Sequence, residues 1–341
     1  MQAIRYAAKD EAGVANIPVP TLLPGHALIK VKASGLCQTD IEVLHGHYGD
    51  GRFPLVPGHE YAGIVEAVAG DVTEFAPGAR VAINPNLACG HCRACEKGLF
   101  NLCEDLGAYG VSVDGGFAAY SLVRVDHLHD IGTLPFETAA LAEPLACVLN
   151  GLNNAGVTKP DGSVGNVPES AIVFGAGPIG LLLALSLKAR GAAQVHVADV
   201  VQSRLDFAER LGLIPTVSGS SELAAKRKHF DLVADATGIP AVVQDMVSYT
   251  ADGGTVMIFG VCAPDAKISI APFEIFRRQI KIAGSHSLNN NIPQALALLQ
   301  ADREGVMSKL VSHRLPIAEI LPFITKKSVD PATMKVQFVA D

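Results

Sequence analysis

The chain has 341 residues, of which 49% are hydrophobic and 18% are charged, and its formal net charge is −7. This length exceeds that of one typical domain, so two domains with substantial cores are expected. Lysine and arginine form no block, which argues against a nucleic-acid or anionic-membrane partner. The first segment, MQAIRYAAKDE, has no apolar signal region, and the apolar run at 179–187 is too short to span a membrane. We therefore expect a soluble cytoplasmic protein.

The first part of the chain is predicted to be rich in β-strands. HALIKVKAS at 26–34, YAGIVEAVA at 61–69 and ARVAINP at 79–85 are short alternating or β-branched runs. They lie between Pro-Gly turns, which is typical of an antiparallel β-domain. This character continues to about residue 150.

Three segments of this region carry residue types that bind zinc. GLCQTD at 35–40 contains Cys37, PGHEYAG at 57–63 contains His59 and Glu60, and LAEPLACVLNG at 141–151 contains Glu143. Three such ligands and a water form an open, catalytic zinc site. An open zinc lowers the pKa of a bound alcohol, so an alkoxide forms near neutral pH and hydride can leave.

Two further residues of GLCQTD are predicted to support this chemistry. Thr39 lies two residues after Cys37 and is expected to accept the alcohol proton on its hydroxyl. Asp40 is expected to orient His59 by accepting a hydrogen bond from its second ring nitrogen.

Four cysteines lie within the fifteen residues CGHCRACEKGLFNLC. Cys89, Cys92, Cys95 and Cys103 follow the spacing C-x2-C-x2-C-x7-C. The chain has seven cysteines, and this odd number in a protein expected to be cytosolic argues against a disulfide framework. Four thiolates at this spacing predict a closed structural zinc site, with an iron–sulfur cluster as the alternative.

Strands and helices alternate after about residue 150. SAIVF at 170–174, QVHVAD at 194–199, DLVADATG, TVMIFG and QIKIAG are predicted strands, and LLLALSLKAR, SRLDFAERLG, AVVQDMVSYT and FEIFRR are predicted helices. Alternation with short turns predicts a parallel sheet with right-handed crossovers. The tail from about 286 is predicted to hold one helix, IPQALALLQ, and one strand, KVQFVA, and to pack on the first domain.

A dinucleotide site is predicted at the first of these strand–helix turns. GAGPIG supplies Gly175, Gly177 and Gly180 of a G-x-G-x-x-G motif between a strand and a helix. The helix N-terminus is suited to the pyrophosphate. Asp199 ends the next strand and is expected to bind the ribose hydroxyls and to repel a 2′-phosphate, which favours NAD. Arg204 is expected to reach the adenine or the pyrophosphate.

These motifs, in this order and at this spacing, resemble those of the zinc-dependent medium-chain alcohol and polyol dehydrogenases. The resemblance covers residue 25 to the C-terminus and implies α/β architecture. A GroES-like β-rich catalytic domain would span 1–150 and be completed by 286–341. A Rossmann domain would span 151–285, with the active site in the cleft between the two domains. A homo-oligomer, dimer or tetramer, is also implied.

The resemblance also implies roles for individual residues. Cys37 and His59 would bind the catalytic zinc, with Glu60 or Glu143 as the third ligand, and the zinc of the four-cysteine lobe would be structural. The cofactor would contact the following residues in the second domain: Ile179, Phe259, Gly260, Val261, Ser285 and His286.

The sequence departs from the family pattern near the substrate. Many members have a proton-relaying histidine five residues after the catalytic cysteine, where this chain has Glu42. Sorbitol dehydrogenases have a His-Tyr pair there and a later Arg-Tyr pair, in place of Glu42-Val43 and Ser287-Leu288. These differences argue against sorbitol itself as the substrate.

The expected reaction is oxidation of a secondary alcohol of a polyol to a ketone with NAD, and its reverse. The polar loops at 42–54 and 285–292 favour a polyol. The alternatives are a threonine 3-dehydrogenase-like activity, a general aliphatic alcohol dehydrogenase, and a zinc- and NAD-binding structural protein without activity.

Overall fold

The computed structural model describes residues 1–325 and 333–340. The chain forms two compact units, one made of residues 1–146 and 288–341 and the other of residues 147–287. We call them the catalytic unit and the coenzyme unit. In the described residues no helix has both the length and the apolar character that crossing a membrane requires.

The N-terminal part of the catalytic unit is built from short strands. Its strands are β1 (Gln2–Ala8), β2 (Glu11–Asn16), β3 (His26–Gly35), β4 (Glu60–Val68), β5 (Arg80–Ile83), β6 (Asn86–Leu87), β7 (Gly107–Ala108), β8 (Tyr120–Arg124) and β9 (Leu128–Asp130). Its helices are α1 (Gln38–Leu44), α2 (Arg93–Glu96), α3 (Phe136–Ala139) and α4 (Ala142–Asn154), the last of which runs on into the coenzyme unit. Alternate residues of the strands are buried, and Tyr6, Tyr61 and Phe117 are among the largest side chains of the core.

The coenzyme unit alternates strand and helix. Its strands are β10 (Ser170–Phe174), β11 (Gln194–Asp199), β12 (Ile214–Val217), β13 (Phe230–Asp235), β14 (Thr250–Ile258) and β15 (Lys281–Gly284). Its helices are α5 (Pro178–Ala189), α6 (Gln202–Arg210), α7 (Ser221–Ala224), α8 (Pro240–Tyr249) and α9 (Pro272–Arg278). The strands pair in parallel in the order β12-β11-β10-β13-β14-β15. This order is that of a Rossmann sheet, with its switch point beside β10.

The C-terminal segment returns to the catalytic unit. It contains α10 (Ile292–Ala301), β16 (Val311–Leu315), α11 (Ile317–Ile324) and β17 (Lys335–Val339). The prediction of one helix and one strand was therefore incomplete, because β16 and α11 were missed. Pro322 lies inside α11 and obscures its helical pattern in the sequence.

Strand β17 fixes one side of the catalytic unit. It pairs antiparallel with β3, and β3 pairs antiparallel with β4. Gly35 of β3 lies opposite Glu60 on one side and opposite Gln337 on the other. The C-terminal strand is thereby brought to the part of the sheet that carries the predicted zinc ligands. The predicted fold class, a GroES-like β-rich unit and a Rossmann unit, is confirmed.

Candidate metal and dinucleotide sites

Cys37, His59 and Glu60 come together in the catalytic unit. Cys37 is the residue before α1, His59 is the residue before β4, and Glu60 is the first residue of β4. One candidate ligand atom from each residue lies within 4.8 Å of the other two. His59 and Glu60 are buried, whereas Cys37 is half-buried. One thiol, one imidazole and one carboxylate fit a zinc with an open coordination position.

Asp40 is hydrogen-bonded to the backbone next to this group. Its side chain is fully buried and accepts hydrogen bonds from the backbone N–H groups of Cys37, at 2.8 Å, and Gly58, at 3.0 Å. His59 Nδ1 lies 3.4 Å from Asp40 Oδ1. Burial lowers the pKa of His59, but the charges of Asp40 and Cys37 outweigh it, and the pKa is raised well above its usual value. Asp40 therefore faces one ring nitrogen and leaves the other for a metal.

Lys335 was not predicted from the sequence, yet it lies beside the same group. Its Nζ donates to Glu60 Oε1 at 2.6 Å and also pairs with Oε2, and both side chains are buried. Burial lowers the pKa of Lys335, but the charges of Glu60 and Cys37 raise it by more than burial lowers it. The pKa of Lys335 therefore lies above its usual value. A Cβ at Gly35 would lie 2.2 Å from Glu60 Oε2 and 3.0 Å from Lys335 Cε, so only glycine leaves room for the pair.

Glu143 and Thr39 are the other two residues that were predicted to act at this group. Glu143 is buried in the first turn of α4, and its charge contributes to the raised pKa of Lys335. In the described part of the chain, Glu143 is not among the residues whose ligand atoms gather within 4.8 Å. Thr39 is half-buried in the first turn of α1, two residues after Cys37. The gathering of ligand atoms therefore favours Glu60 over Glu143 as the third ligand.

The four cysteines of the lobe form a second group. Their sulfur atoms lie within 4.8 Å of one another, and all are free thiols. Cys89 N–H donates to Cys103 Sγ at 3.2 Å, and Cys92 is the N-cap residue before α2. Backbone hydrogen bonds from Glu104 and Cys95 lower the pKa of Cys92 to about 6, while burial raises the pKa of Cys95 to about 12. Four sulfurs in this arrangement fit a closed zinc site.

The polar residues of the two loops make specific internal contacts. Asn289 accepts from Phe100 N–H and donates to Gly98 O, both at the lobe. His45 is the C-cap residue of α1, and its Nδ1 lies 2.5 Å from Asp10 Oδ1 at the β1–β2 turn. Glu42 faces His47 Nδ1 at 3.0 Å. These side chains hold the loops in place, which loop composition did not predict.

The glycine-rich turn of the coenzyme unit has the shape that a dinucleotide needs. Gly175 has φ of +104°, and a Cβ at Gly180 would lie 1.9 Å from Gly175 O. A Cβ at Gly177 would meet nothing within 4 Å, so the space before α5 is open. Gly177 caps α5 without a side-chain bond, which leaves N–H groups free for a phosphate.

Asp199 and Arg204 lie beside this turn. Asp199 Oδ2 accepts from Ala176 N–H at 2.8 Å, and Oδ1 accepts from Val201 N–H at 2.9 Å. Arg204 Nη1 lies 3.9 Å from Asp199 Oδ2, and its buried Nε has no hydrogen-bond partner. The carboxylate oxygens have two lone pairs each, so they can still accept ribose hydroxyls. The unpartnered Nε fits a polar ligand at this turn.

The other predicted cofactor contacts follow the carboxyl ends of the strands or start α5. Ile179 is in the first turn of α5; Phe259, Gly260 and Val261 follow β14; and Ser285 and His286 follow β15. Val261 is 93% exposed, and the buried Ser285 Oγ has no hydrogen-bond partner. Ligands of open parallel sheets bind at this edge.

Asp235, which was not predicted, shapes the same edge. Its carboxylate accepts from Thr237 N–H at 2.9 Å and from Gly238 N–H at 3.1 Å, and it is fully buried. It holds the turn after β13 against the backbone near Gly260. Its position in DLVADATG at a strand end was the available signal.

Comparisons with known proteins agree with this geometry. Residues 23–133 match the alcohol dehydrogenase GroES-like domain and residues 178–301 match the zinc-binding dehydrogenase family. D-altritol 5-dehydrogenase from Agrobacterium fabrum (strain C58) is 64% identical over 341 residues, with all of both chains covered. A zinc-binding dehydrogenase from Sinorhizobium meliloti 1021, solved with NADP, superposes with a TM-score of 0.91 at 30% identity, covering 99% of each chain.

An alcohol dehydrogenase from Escherichia coli CFT073, solved with NADH, superposes with a TM-score of 0.89 at 26% identity. It covers 100% of this chain and 99% of its own. The family matches, the whole-length identity and the two solved folds all agree. The chain belongs to the zinc-dependent medium-chain polyol dehydrogenases.

Proposed function

We propose that this chain oxidises a hexitol at C5 to the ketone, using NAD and zinc, and catalyses the reverse reduction. The observation that carries this proposal is the Cys37–His59–Glu60 group, in a chain 64% identical to a D-altritol 5-dehydrogenase. The absence of the sorbitol-type residue pairs at 42–43 and 287–288 supports a hexitol other than sorbitol.

The residues of the catalytic unit have different roles in this reaction. Cys37, His59 and Glu60 hold the metal, with Glu143 as the second candidate for the carboxylate. Zinc supplies Lewis acidity that lowers the pKa of the substrate hydroxyl, and NAD supplies the hydride acceptor. Thr39 accepts the hydroxyl proton, and Asp40 keeps the imidazole of His59 in place.

The coenzyme unit supports NAD as the cofactor. The Asp199 carboxylate lies at the end of β11, where the ribose hydroxyls of an adenosine bind in Rossmann folds. A 2′-phosphate at that position would be repelled by the negative charge of the Asp199 carboxylate. Arg204, at 3.9 Å, is already paired with Asp199 and is therefore less able to attract a phosphate. Gly175, Gly177 and Gly180 form the turn for the pyrophosphate.

A substrate comparison tests the assigned activity. We expect D-altritol with NAD to give the highest kcat/KM when compared with sorbitol, a four-carbon polyol, L-threonine and 1-butanol. The ketone in the product, located by NMR, should be at C5. Activity confined to 1-butanol or to L-threonine would instead support the aliphatic or amino-alcohol alternative. Absence of turnover with every substrate, in protein that binds both zinc and NAD, would support the structural-protein alternative.

Cofactor preference is tested by replacing Asp199. In Asp199→Ala we expect the Kd of NAD to rise about tenfold, equivalent to ~1.4 kcal/mol, and the Kd of NADP to fall. Asp206→Ala is the matched control, because Asp206 bonds to Gln202 on the exposed face of α6. Tighter binding of NADP than of NAD by the unaltered protein would contradict the NAD assignment.

We propose further that the protein is a homo-oligomer formed in part through β15. This strand lies at the edge of the coenzyme sheet, where unpaired backbone groups favour pairing with another strand. Nearby, Phe273 is 66% exposed, Phe276 is 78% exposed and Ile282 is 45% exposed. Sedimentation should give a dimer or tetramer for the unaltered protein and a smaller species for Ile282→Lys combined with Phe276→Asp. A monomeric unaltered protein would contradict this assignment.

A further inference from the structure

The second half of α4 belongs to the coenzyme unit and contacts the residues that follow β15. Asn150 is 5% exposed, and its Nδ2 donates to two backbone carbonyls, His286 O at 3.2 Å and Ser287 O at 2.8 Å. A primary amide has two N–H donors, so both are used on consecutive residues of one segment. The side chain of Asn150 therefore holds the main chain just after the edge strand of the sheet.

This segment has a main-chain conformation that serine seldom adopts. Ser287 has φ of +53°, in the left-handed region. A residue other than glycine stays in that region only where its surroundings hold it there. The two hydrogen bonds from Asn150 provide this hold, because they fix the carbonyl groups on either side of the Ser287 Cα.

The next residue of α4 contacts the end of β14. A Cβ at Gly151 would overlap Met257 Cε and would lie 3.0 Å from Phe259 Cδ2, so only glycine allows the helix to approach this closely. Phe259 is the first residue after β14. Asn150 and Gly151 thus contact the segments that follow two neighbouring parallel strands, 259–261 after β14 and 285–287 after β15.

Both segments lie where the nicotinamide half of a dinucleotide is expected. A dinucleotide crosses the carboxyl edge of a Rossmann sheet at its switch point. Asp199, the expected partner of the adenosine ribose, ends β11 on one side of β10, whereas β13, β14 and β15 lie on the other side. The nicotinamide half is therefore expected beside β13 to β15. Among the described residues the buried Ser285 Oγ has no hydrogen-bond partner, which fits a polar ligand at this place.

We propose that Asn150 is a positioning residue for the nicotinamide half of the cofactor; this inference rests on the nicotinamide cofactor of the proposed function. Its amide fixes the carbonyls of residues 286 and 287 and thereby sets the place of Ser285 and His286 at the carboxyl edge. Since Asn150 uses both donors on this segment, it acts on the cofactor through the main chain. The adenosine half, at Asp199 and the glycine-rich turn, does not depend on it.

The proposal is tested by comparing the binding of NADH with that of ADP-ribose, which lacks the nicotinamide ring. Asn150→Ala removes both donors, and Asn150→Asp keeps the shape of the side chain but places acceptors against carbonyl oxygens. We expect the Kd of NADH to rise roughly tenfold in both variants and the Kd of ADP-ribose to stay within about twofold. Asn154→Ala and Asn154→Asp, at an exposed position at the end of the same helix, are the matched controls and should bind both ligands normally.

A second substitution tests the role of the Ser287 conformation. Ser287→Gly combined with Asn150→Ala should recover part of the lost NADH affinity, because glycine adopts a positive φ without support. An unchanged Kd of NADH in both Asn150 variants, or an equal loss of NADH and ADP-ribose binding, would overturn the positioning role while leaving the proposed function intact. NADH binding without polyol turnover in the unaltered protein would overturn the proposed function but not the role of Asn150.

Discussion

Lys335 is a buried cation in direct contact with a candidate metal ligand. Its ion pair with Glu60 neutralises a carboxylate that has almost no exposure to water. A buried ion pair adds little net stability, but removing one partner leaves an uncompensated charge that is costly. In this site a bound metal would be the other source of positive charge for Glu60.

Replacing Lys335 should therefore have an effect that depends on the metal. We expect Lys335→Met to lower the free energy of unfolding by about 3 kcal/mol in chelator-stripped protein, and by less in zinc-loaded protein. Thermal and urea unfolding with and without chelator would measure both values. Lys30→Met, on the exposed side of β3, is the control. Equal destabilisation with and without metal would show that the metal does not compensate the negative charge of Glu60.

The four-cysteine lobe is short, and metal binding by its cysteines is expected to stabilise it. It contains one four-residue helix, α2, and Asn289 joins it to the loop before α10. A closed zinc site contributes its binding energy to folding. The lobe therefore depends on its metal more than on an apolar core.

Cys95→Ala should lower stability without removing the chemistry. We expect one zinc per chain to be lost and the free energy of unfolding to fall by about 3 kcal/mol or more. Turnover per remaining zinc should stay within a few-fold of the unaltered protein. Cys262→Ala, a half-buried thiol outside both groups, should keep both zincs. A stable Cys95→Ala protein without activity would mean that the two sites have been assigned the wrong way round.

Strand β11 carries a histidine that makes the coenzyme unit sensitive to acid. Burial, with the charges of Lys226 and His229, lowers the pKa of His196 to about 4, and its Nδ1 pairs with Thr216 Oγ1 at 3.0 Å. The unfolded chain binds this proton near pH 6.5, whereas the folded chain binds it only near pH 4. Stability is therefore fully present above pH 6.5 and is lost as the pH falls toward 4.

His196→Val should flatten this dependence. Between pH 7 and pH 4, the free energy of unfolding measured with urea should fall less in this variant than in the unaltered protein. The difference should correspond to the uptake of one proton, at most about 3 kcal/mol over the interval. His26→Asn, at the start of β3, is the control and should keep the slope of the unaltered protein. An unchanged slope in His196→Val would mean that other groups carry the acid sensitivity.

The strands of the coenzyme unit were the easiest part of the molecule to predict. SAIVF and QVHVAD correspond to β10 and β11, residue for residue, because central parallel strands are continuous apolar runs bounded by glycine or polar turns. Strand β16 and helix α11 were missed, since VSHRL is short and Pro322 interrupts the other pattern. Local pattern therefore predicted buried strands better than short, partly exposed elements.

At the scale of the whole molecule, strands from distant parts of the sequence meet in one sheet beside the candidate zinc ligands. Cys37, His59 and Glu60 were predicted as a group because their motifs lie at family-like spacing. Lys335 was not, since it is 275 residues from Glu60 and reaches it only through the pairing of β17 with β3. Asp235 was also missed: its place at the end of a predicted strand was a signal, but the backbone N–H groups that it binds in the turn after β13 appear only in the folded chain. Long-range pairing and main-chain contacts are what the sequence alone did not provide.

The most direct test of the central claim combines zinc content and D-altritol turnover in Cys37→Ala. The account predicts two zincs per chain in the unaltered protein, and one zinc with an intact fold in the variant. Turnover in the variant should fall by about a thousandfold, because loss of the activating metal removes several kcal/mol of transition-state stabilisation. A Cys37→Ala protein that keeps both zincs, or that turns over substrate at the unaltered rate, would contradict the account.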